Sequence, residues 1–167
     1  MQRKEPLETT ALPDIHHKRD GDESASAHRA TQPAIKQFLV LVVDDYLDNV
    51  VALSLDLQAE GYKVVTASNG EEAVSIATLT QPDIILMDIS MPQLDGLGAT
   101  RKIRENEALR DVPVIAITAF STDGFRRAAY DVGVEGYLVK PIDYQRMHEL
   151  MRRLLAAKEA RNSPVLP

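Results

Sequence analysis

Four apolar runs, each ending on a polar side chain, organise this chain. Phe38-Leu39-Val40-Leu41-Val42-Val43 ends at Asp44-Asp45, Ile84-Ile85-Leu86-Met87 at Asp88, and Val114-Ile115-Ala116-Ile117 at Thr118. Gly136-Tyr137-Leu138-Val139 ends at Lys140, which Pro141 follows. The first three runs are continuous rather than alternating, the pattern of strands covered by helices on both faces. A weaker run, Lys63-Val64-Val65-Thr66-Ala67, supplies a fifth strand.

Between the runs the spacing predicts helices over about 47–59, 70–79, 96–105, 123–131 and 144–157. Gly61 and Gly133 stop the first and fourth. Asn69 caps the second, with Glu71 and Glu72 in its dipole-favoured first turn. Asp95-Gly96 opens the third. Asp143 caps the fifth, whose stripe of Met147, Leu150, Met151, Leu154 and Leu155 recurs at three- and four-residue intervals. Strands alternating with helices across short connections predict an α/β fold. The expected architecture is a doubly wound, flavodoxin-like parallel sheet of five strands in the order 2-1-3-4-5 with five helices.

Residues 1–36 carry no such pattern. Lys, Arg, Asp, Glu, Ser, His and Pro are mixed there with apolar residues too scattered to offset the entropy of ordering, so this segment is expected to be a disordered tail. His16, His17 and His28 lie in it, and a solvated tail explains them better than a metal site. The folded part spans 37–157, and 158–167 read as a short C-terminal tail. There is no internal repeat and no sign of a second domain.

Composition narrows the function classes. The 167 residues are 44% apolar and 26% charged, as in globular domains. A net charge of −6 argues against direct nucleic-acid binding through phosphate contacts. With no cysteine, thiolate catalysis, disulfides and Cys-based metal sites are excluded. No apolar stretch approaches the roughly 18 residues of a membrane span, and there is no signal-peptide core, so no membrane association is expected and a cytoplasmic location is the default.

In an open parallel sheet, ligands bind beyond the carboxyl ends of the strands, where the strand order reverses. Asp44-Asp45 could simply cap the next helix, Asp88 could be a turn residue, Thr118 a β-branched strand end and Lys140 a surface lysine. Their joint occurrence at one edge is what carries weight, because strands one and three are neighbours in the expected order. Two carboxylates 4 Å apart repel by about 4 kcal/mol at an effective dielectric of about 20, so such a cluster takes up a proton or a cation. With oxygen ligands only, Mg²⁺ fits best, with Mn²⁺ as substitute. A metal beside a carboxylate nucleophile suits phosphoryl transfer, with Lys140 as a compact positive charge and Thr118 as a hydrogen-bond donor.

Asp44-Asp45, Met87-Asp88-Ile89-Ser90-Met91-Pro92 with Asp95-Gly96, Thr118-Ala119 and Lys140-Pro141 together resemble the receiver domain of bacterial two-component response regulators. The resemblance covers the whole folded part. It implies that Asp88 is the phosphoacceptor, and that Asp45, Asp88 and the Ser90 backbone carbonyl hold Mg²⁺. Asp44 would help directly or through water. Thr118 and Lys140 would contact the phosphoryl group, and the Lys140–Pro141 peptide would be cis. It implies a switch in which Thr118 is drawn toward the phosphorylated Asp88 and Tyr137 turns inward, changing the surface of the fourth helix, last strand and fifth helix. Ser90 and Phe120 sit at positions that tune the lifetime of the phosphorylated state, and the bulky Phe120 is expected to impede the hydrolytic water.

The phosphodonor implied is a histidine kinase or a histidine phosphotransfer protein. The first helix is apolar on more than one face, at Val50, Val51, Leu53, Leu55 and Leu57, and the surplus is read as the donor's docking surface. Met91 to Gly96 and Ala99 to Arg104 look especially like receivers of hybrid kinases and phosphorelays. No DNA-binding or catalytic module follows residue 157 in this sequence, so output is expected through an as yet unidentified protein partner, with no enzymatic activity beyond self-catalysed phosphorylation and dephosphorylation. Arg126 and Arg127 read as a solvated basic face. The competing readings are a receiver-like binding module that is never phosphorylated, and an Mg²⁺-dependent, haloacid-dehalogenase-like phosphatase. The latter requires Asp-x-Asp where this chain has Asp44-Asp45-Tyr46. A nucleotide or flavin binder would need glycine in the first loop, and residues 44–49 contain none.

Overall fold

The computed structural model describes residues 37–163. The expected N-terminal tail, with its three histidines, lies outside the described residues. In chain order the elements are β1 (Leu39–Val43), α1 (Leu47–Ala59), β2 (Lys63–Ala67), α2 (Gly70–Thr80) and β3 (Ile84–Asp88), then α3 (Gly96–Glu105), β4 (Val114–Thr118), α4 (Asp123–Asp131), β5 (Gly136–Val139) and α5 (Tyr144–Asn162). The strands form one sheet in the order β2-β1-β3-β4-β5, every neighbouring pair parallel. This is the expected doubly wound arrangement, and its switch point falls between β1 and β3.

Two-residue alternation along each strand sorts the core into two layers. Leu41, Val43, Ile85, Met87, Ala116 and Tyr137 pack with Ala73, Ala77, Ala99, Ile103 and Ala129 of α2, α3 and α4. Val40, Val42, Ile84, Leu86, Ile115, Ile117 and Leu138 pack with Leu53 and Leu57 of α1 and with Met147, Met151, Leu154 and Leu155 of α5. Each fully buried aliphatic side chain is worth about 1.5–3 kcal/mol, so register is fixed by both faces at once: a one-residue slip would exchange the two layers.

Local chemistry sets the helix ends. Asn69 accepts the Glu72 N–H at 2.9 Å, while the Glu72 carboxylate reaches back to the Ser68 N–H at 2.8 Å, a reciprocal cap. Asp95 and Asp143 accept from Gly98 and Arg146 in the same way. One boundary differs from expectation: α5 runs on to Asn162 rather than ending near 157. Ala156, Ala157, Lys158, Glu159 and Ala160 are strong helix formers, and Lys158 donates to the Pro82 and Asp83 carbonyls, anchoring the extra turn below β3. The helix gives way at Ser163, whose backbone is extended, as a residue before proline must be.

Candidate functional site

Val42, Leu86 and Leu138 all belong to the layer under α1 and α5. Side chains two residues further along a strand return to the same face. Asp44, Asp88 and Lys140 therefore emerge together at the carboxyl end of the sheet. Val43 pairs with Met87, which puts Asp44 level with Asp88 on adjacent strands. Thr118 follows Ala116 by two, so it belongs with Tyr137 to the opposite, α2–α4 layer. Gly96 closes the site from below: its N–H donates to the Ile89 carbonyl at 3.1 Å, and a Cβ there would overlap the Asp88 carbonyl. Only glycine lets the start of α3 come so near the end of β3.

The structure brings the three carboxylates to within 4.8 Å of one another. Lys140 Nζ donates to Asp44 Oδ2 at 2.8 Å and to Asp88 Oδ2 at 3.0 Å. Asp88 Oδ1 accepts the Ser90 N–H at 3.1 Å. Asp44 Oδ1 accepts the Tyr46 N–H at 2.9 Å. Asp44 and Asp88 are only 2% and 4% exposed, so their charges depend on these donors. Burial by itself would lower the Lys140 pKa; hydrogen bonds to Asp44 and Asp88, together with the charges of both carboxylates, outweigh it and hold the ammonium above the ordinary lysine value. One ammonium against three carboxylates still leaves a local excess of negative charge.

Asp45 is different. Its Oδ1 is buried and has no hydrogen-bond partner. An orphan carboxylate oxygen, in an all-oxygen cluster with excess negative charge, fits a small hard dication. Asp45 and Asp88 could ligate it directly. The cleft above is lined by Tyr46, Asn49, Asp88, Ser90, Ala119 and Lys140.

Thr118 is fully buried, and its Oγ1 accepts the Phe120 N–H at 3.2 Å. Tyr137 is buried, and its hydroxyl donates to the Phe120 carbonyl at 2.9 Å. The Phe120 ring stacks on Phe125 of α4, centroids 4.2 Å apart, and Ala119 rather than Phe120 lines the cleft. Arg126 is not merely solvated: its guanidinium carbon lies 5.2 Å from the centre of the Tyr137 ring. The Lys140–Pro141 peptide is cis.

Several participants escaped the sequence reading. Asn49, in the first turn of α1, donates through Nδ2 to both Asp44 oxygens at 3.0 Å. An asparagine there reads as an ordinary N-terminal helix residue. Phe125 carries no signal of its own, since its partner is known only once the β4–α4 loop is folded. His148 of α5 meets Asp56 of α1 at 2.8 Å, and Arg104 of α3 donates to the Gly133 carbonyl at 2.7 Å and the Val112 carbonyl at 2.8 Å. These are long-range contacts with no local pattern.

With this geometry in place, the comparisons with known proteins converge. The family model described as "Response regulator receiver domain" matches residues 40–152. The chain belongs to that family. Over 116 residues it is 36% identical to the polar-differentiation response regulator DivK of Brucella anthropi, covering 70% of this chain and 94% of that protein. It is 40% identical over 126 residues to the response regulator PleD of Caulobacter vibrioides, covering 73% of this chain but only 28% of PleD's length. Among solved structures, the receiver domain of sensor histidine kinase PA1611 from Pseudomonas aeruginosa PAO1, with a magnesium ion coordinated in its active-site cleft, matches with TM-score 0.68 and 35% identity, covering 72% of this chain and 99% of that one. Chemotaxis protein CheY4 of Vibrio cholerae matches with TM-score 0.68 and 28% identity, covering 71% of this chain and 99% of that one.

Proposed function

We propose that this receiver accepts a phosphoryl group on Asp88 from a histidine kinase or histidine phosphotransfer protein, in a Mg²⁺-dependent reaction, and signals through protein contacts. The observation that carries the reading is the shared ammonium: Lys140 bridges Asp44 and Asp88 while Asp45 Oδ1 has no hydrogen-bond partner, so a carboxylate oxygen is left to serve a cation. Asp45, Asp88 and the Ser90 carbonyl would hold Mg²⁺, which would supply positive charge to the transferring group. An Asp88 carboxylate oxygen attacks phosphorus as the bond from phosphorus to the donor's imidazole nitrogen breaks, and the electron pair leaves with the imidazole. Lys140 turns from the Asp88 carboxylate to a phosphoryl oxygen. Thr118 gives up its bond from Phe120 and donates its hydroxyl to another. Nothing in this scheme requires a protein base, since a carboxylate attacks without giving up a proton.

Docking of the donor is assigned to α1. Leu53 and Leu57 face the core, whereas Leu47 and Leu55 are 73% and 63% exposed, with Val51 and Tyr46 also open to solvent. An apolar strip beside the acidic cleft suits a helix presenting a phosphohistidine. The proposed receiver unit is 37–157, extended by the last turn of α5, and a cytoplasmic location follows from the phosphodonor. No described helix is long and apolar enough to cross a membrane.

The test is incubation with acetyl phosphate and Mg²⁺, with intact mass measured for wild type and Asp88→Asn. One added phosphoryl group in wild type alone is the expected result. Equal labelling of both defeats the Asp88 assignment, and no labelling of wild type leaves a binding-only receiver.

A further inference from the structure

Asp44 has more hydrogen-bond donors than any other carboxylate of the cluster. The Tyr46 N–H and Lys140 ammonium take one oxygen each, and Asn49 Nδ2 takes both. The amide orientation is chemically fixed, because turning it would set Oδ1 against two carboxylate oxygens, acceptor against acceptor. Every lone-pair direction of a carboxylate is worth roughly one donor, about four in all, and here four contacts fill them. Asp45 and Asp88 are not covered in this way: Asp45 Oδ1 has no partner, and Asp88 has two donors.

The geometry points to Asn49 as a cation-selectivity residue: by occupying both oxygens of Asp44 it withholds that carboxylate from direct coordination and keeps the site suited to Mg²⁺ rather than Ca²⁺. The inference rests on reading the acidic cluster as a divalent-cation site. The two ions differ in what they ask of a cluster. Mg²⁺ takes an octahedral shell at roughly 2.0–2.1 Å, keeps several waters and is satisfied by one or two carboxylates. Ca²⁺ takes roughly 6–8 oxygens at 2.3–2.6 Å and gains from each further carboxylate. With Asp44 engaged, Asp45 and Asp88 alone can touch the ion, which is a magnesium-like set. Without Asn49, Asp44 keeps one donor on each oxygen, from the Tyr46 N–H and Lys140, and each oxygen has a lone pair to spare. Three carboxylates within 4.8 Å then become available, which is a calcium-like set. Lys140 does not enforce this alone, because in the proposed chemistry it must leave for the phosphoryl group, whereas Asn49 stays on α1, two residues into the helix after Leu47. Asn49 acts through Asp44 and is a positioning residue.

The experiment is calorimetric titration of the unphosphorylated full chain with MgCl₂ and separately with CaCl₂, for wild type, Asn49→Leu and Asn49→Ala. Leucine keeps the shape of asparagine without its donor. Alanine leaves room for a water that restores part of the donation. The ratio of Ca²⁺ to Mg²⁺ affinity is expected to rise about tenfold in Asn49→Leu, equivalent to about 1.4 kcal/mol, and by a smaller factor in Asn49→Ala. Thermal unfolding in EDTA checks that each variant is folded, and if Asn49→Leu is not, a ratio raised about threefold or more in Asn49→Ala decides the matter. A ratio unchanged in the folded variants, or both affinities falling together, overturns the assignment while leaving the phosphoacceptor reading intact. A wild-type chain that binds neither cation overturns both. Loss of fold would alter both ions alike, so the ratio separates selectivity from a structural role.

Discussion

Replacing Asp45 with Asn should make the metal-free protein more stable, not less. The carboxylates of Asp44, Asp45 and Asp88 lie within 4.8 Å of one another, and Lys140 bonds the other two but not Asp45. At that separation and an effective dielectric of about 20, each pair repels by about 3.5 kcal/mol; in bulk water the same pair costs about 0.9 kcal/mol. Asp45 takes part in two such pairs, bracketing its repulsion between about 2 and 7 kcal/mol. Partial exposure of Asp45 and the nearby ammonium move the value toward the low end, so a net gain of about 1–3 kcal/mol is expected from neutralising it. Urea unfolding in EDTA, followed by far-UV circular dichroism, reads this directly: with a slope of about 1–3 kcal/mol per molar, the midpoint rises by about 1 M. In saturating Mg²⁺ the order reverses, since the cation stabilises wild type by binding the folded state and has lost a ligand in the variant. If Asp45→Asn is the less stable protein in EDTA, or if Mg²⁺ shifts both midpoints equally, the electrostatic account of the cluster is wrong.

On the proposed chemistry, Phe120→Glu or Phe120→Ser should speed loss of the phosphoryl group from Asp88, measured by phosphate release after removal of the donor; an unchanged or slower rate refutes the lifetime role. Arg104→Ala should lower stability by about 2–4 kcal/mol in urea unfolding, because the carbonyls of Gly133 and Val112 lose a charged donor; a loss below about 0.5 kcal/mol would show that water replaces it freely. Lys140 has its folded pKa raised, so its contribution to stability is complete below the unfolded lysine value, near 10.4, and fades as pH climbs through the folded value. The stability difference between wild type and Lys140→Met, in EDTA, should therefore stay flat from about pH 8 to 10 and shrink above it; a difference that grows with pH contradicts the sign.

Much of this was legible in the chain because both periodicities are strong. Continuous apolar runs in β1, β3 and β4 named the buried strands, and polar residues at the run ends named Asp44, Asp45, Asp88 and Lys140 as neighbours, with Thr118 at the same sheet edge but in the opposite layer. Caps at Asn69, Asp95 and Asp143 fixed three helix starts. The C-terminal end of α5 was misplaced because its last turn is polar outside and held by Lys158, a contact spanning 76 residues to Pro82. What stayed hidden is tertiary in the same sense. Asn49 sits five residues from Asp44, but across a strand-to-helix turn whose geometry no residue pattern encodes. Phe120 was legible as a bulky residue near the site; that its ring turns away onto Phe125 depends on where α4 packs.

If Asp88 is phosphorylated as proposed, the division of the sheet into two faces calls for a relay. Asp44, Asp88 and Lys140 emerge over the α1–α5 layer, whereas Thr118 and Tyr137 belong to the α2–α4 layer. On the proposed chemistry, a charge change at Asp88 would act first on Thr118, which ends the neighbouring strand, and through it on Phe120. Its N–H is given to Thr118, its carbonyl takes the Tyr137 hydroxyl, and its ring lies on Phe125 of α4. If phosphorylation draws the Thr118 hydroxyl away, the Phe120 N–H loses its acceptor, and the loop is left tied through its carbonyl to Tyr137 and through its ring to Phe125. Because this loop is exposed, water can take the freed amide, and the loss is at most the net worth of one hydrogen bond, about 0.5–1.5 kcal/mol, a bias that shifts a two-state element without melting it. The loop then repositions, and Phe125 and Tyr137 must follow, because they are its only remaining ties among these contacts. On the proposed chemistry, the signal would reach the α4–β5–α5 surface as a rearranged aromatic stack rather than as a moved charge.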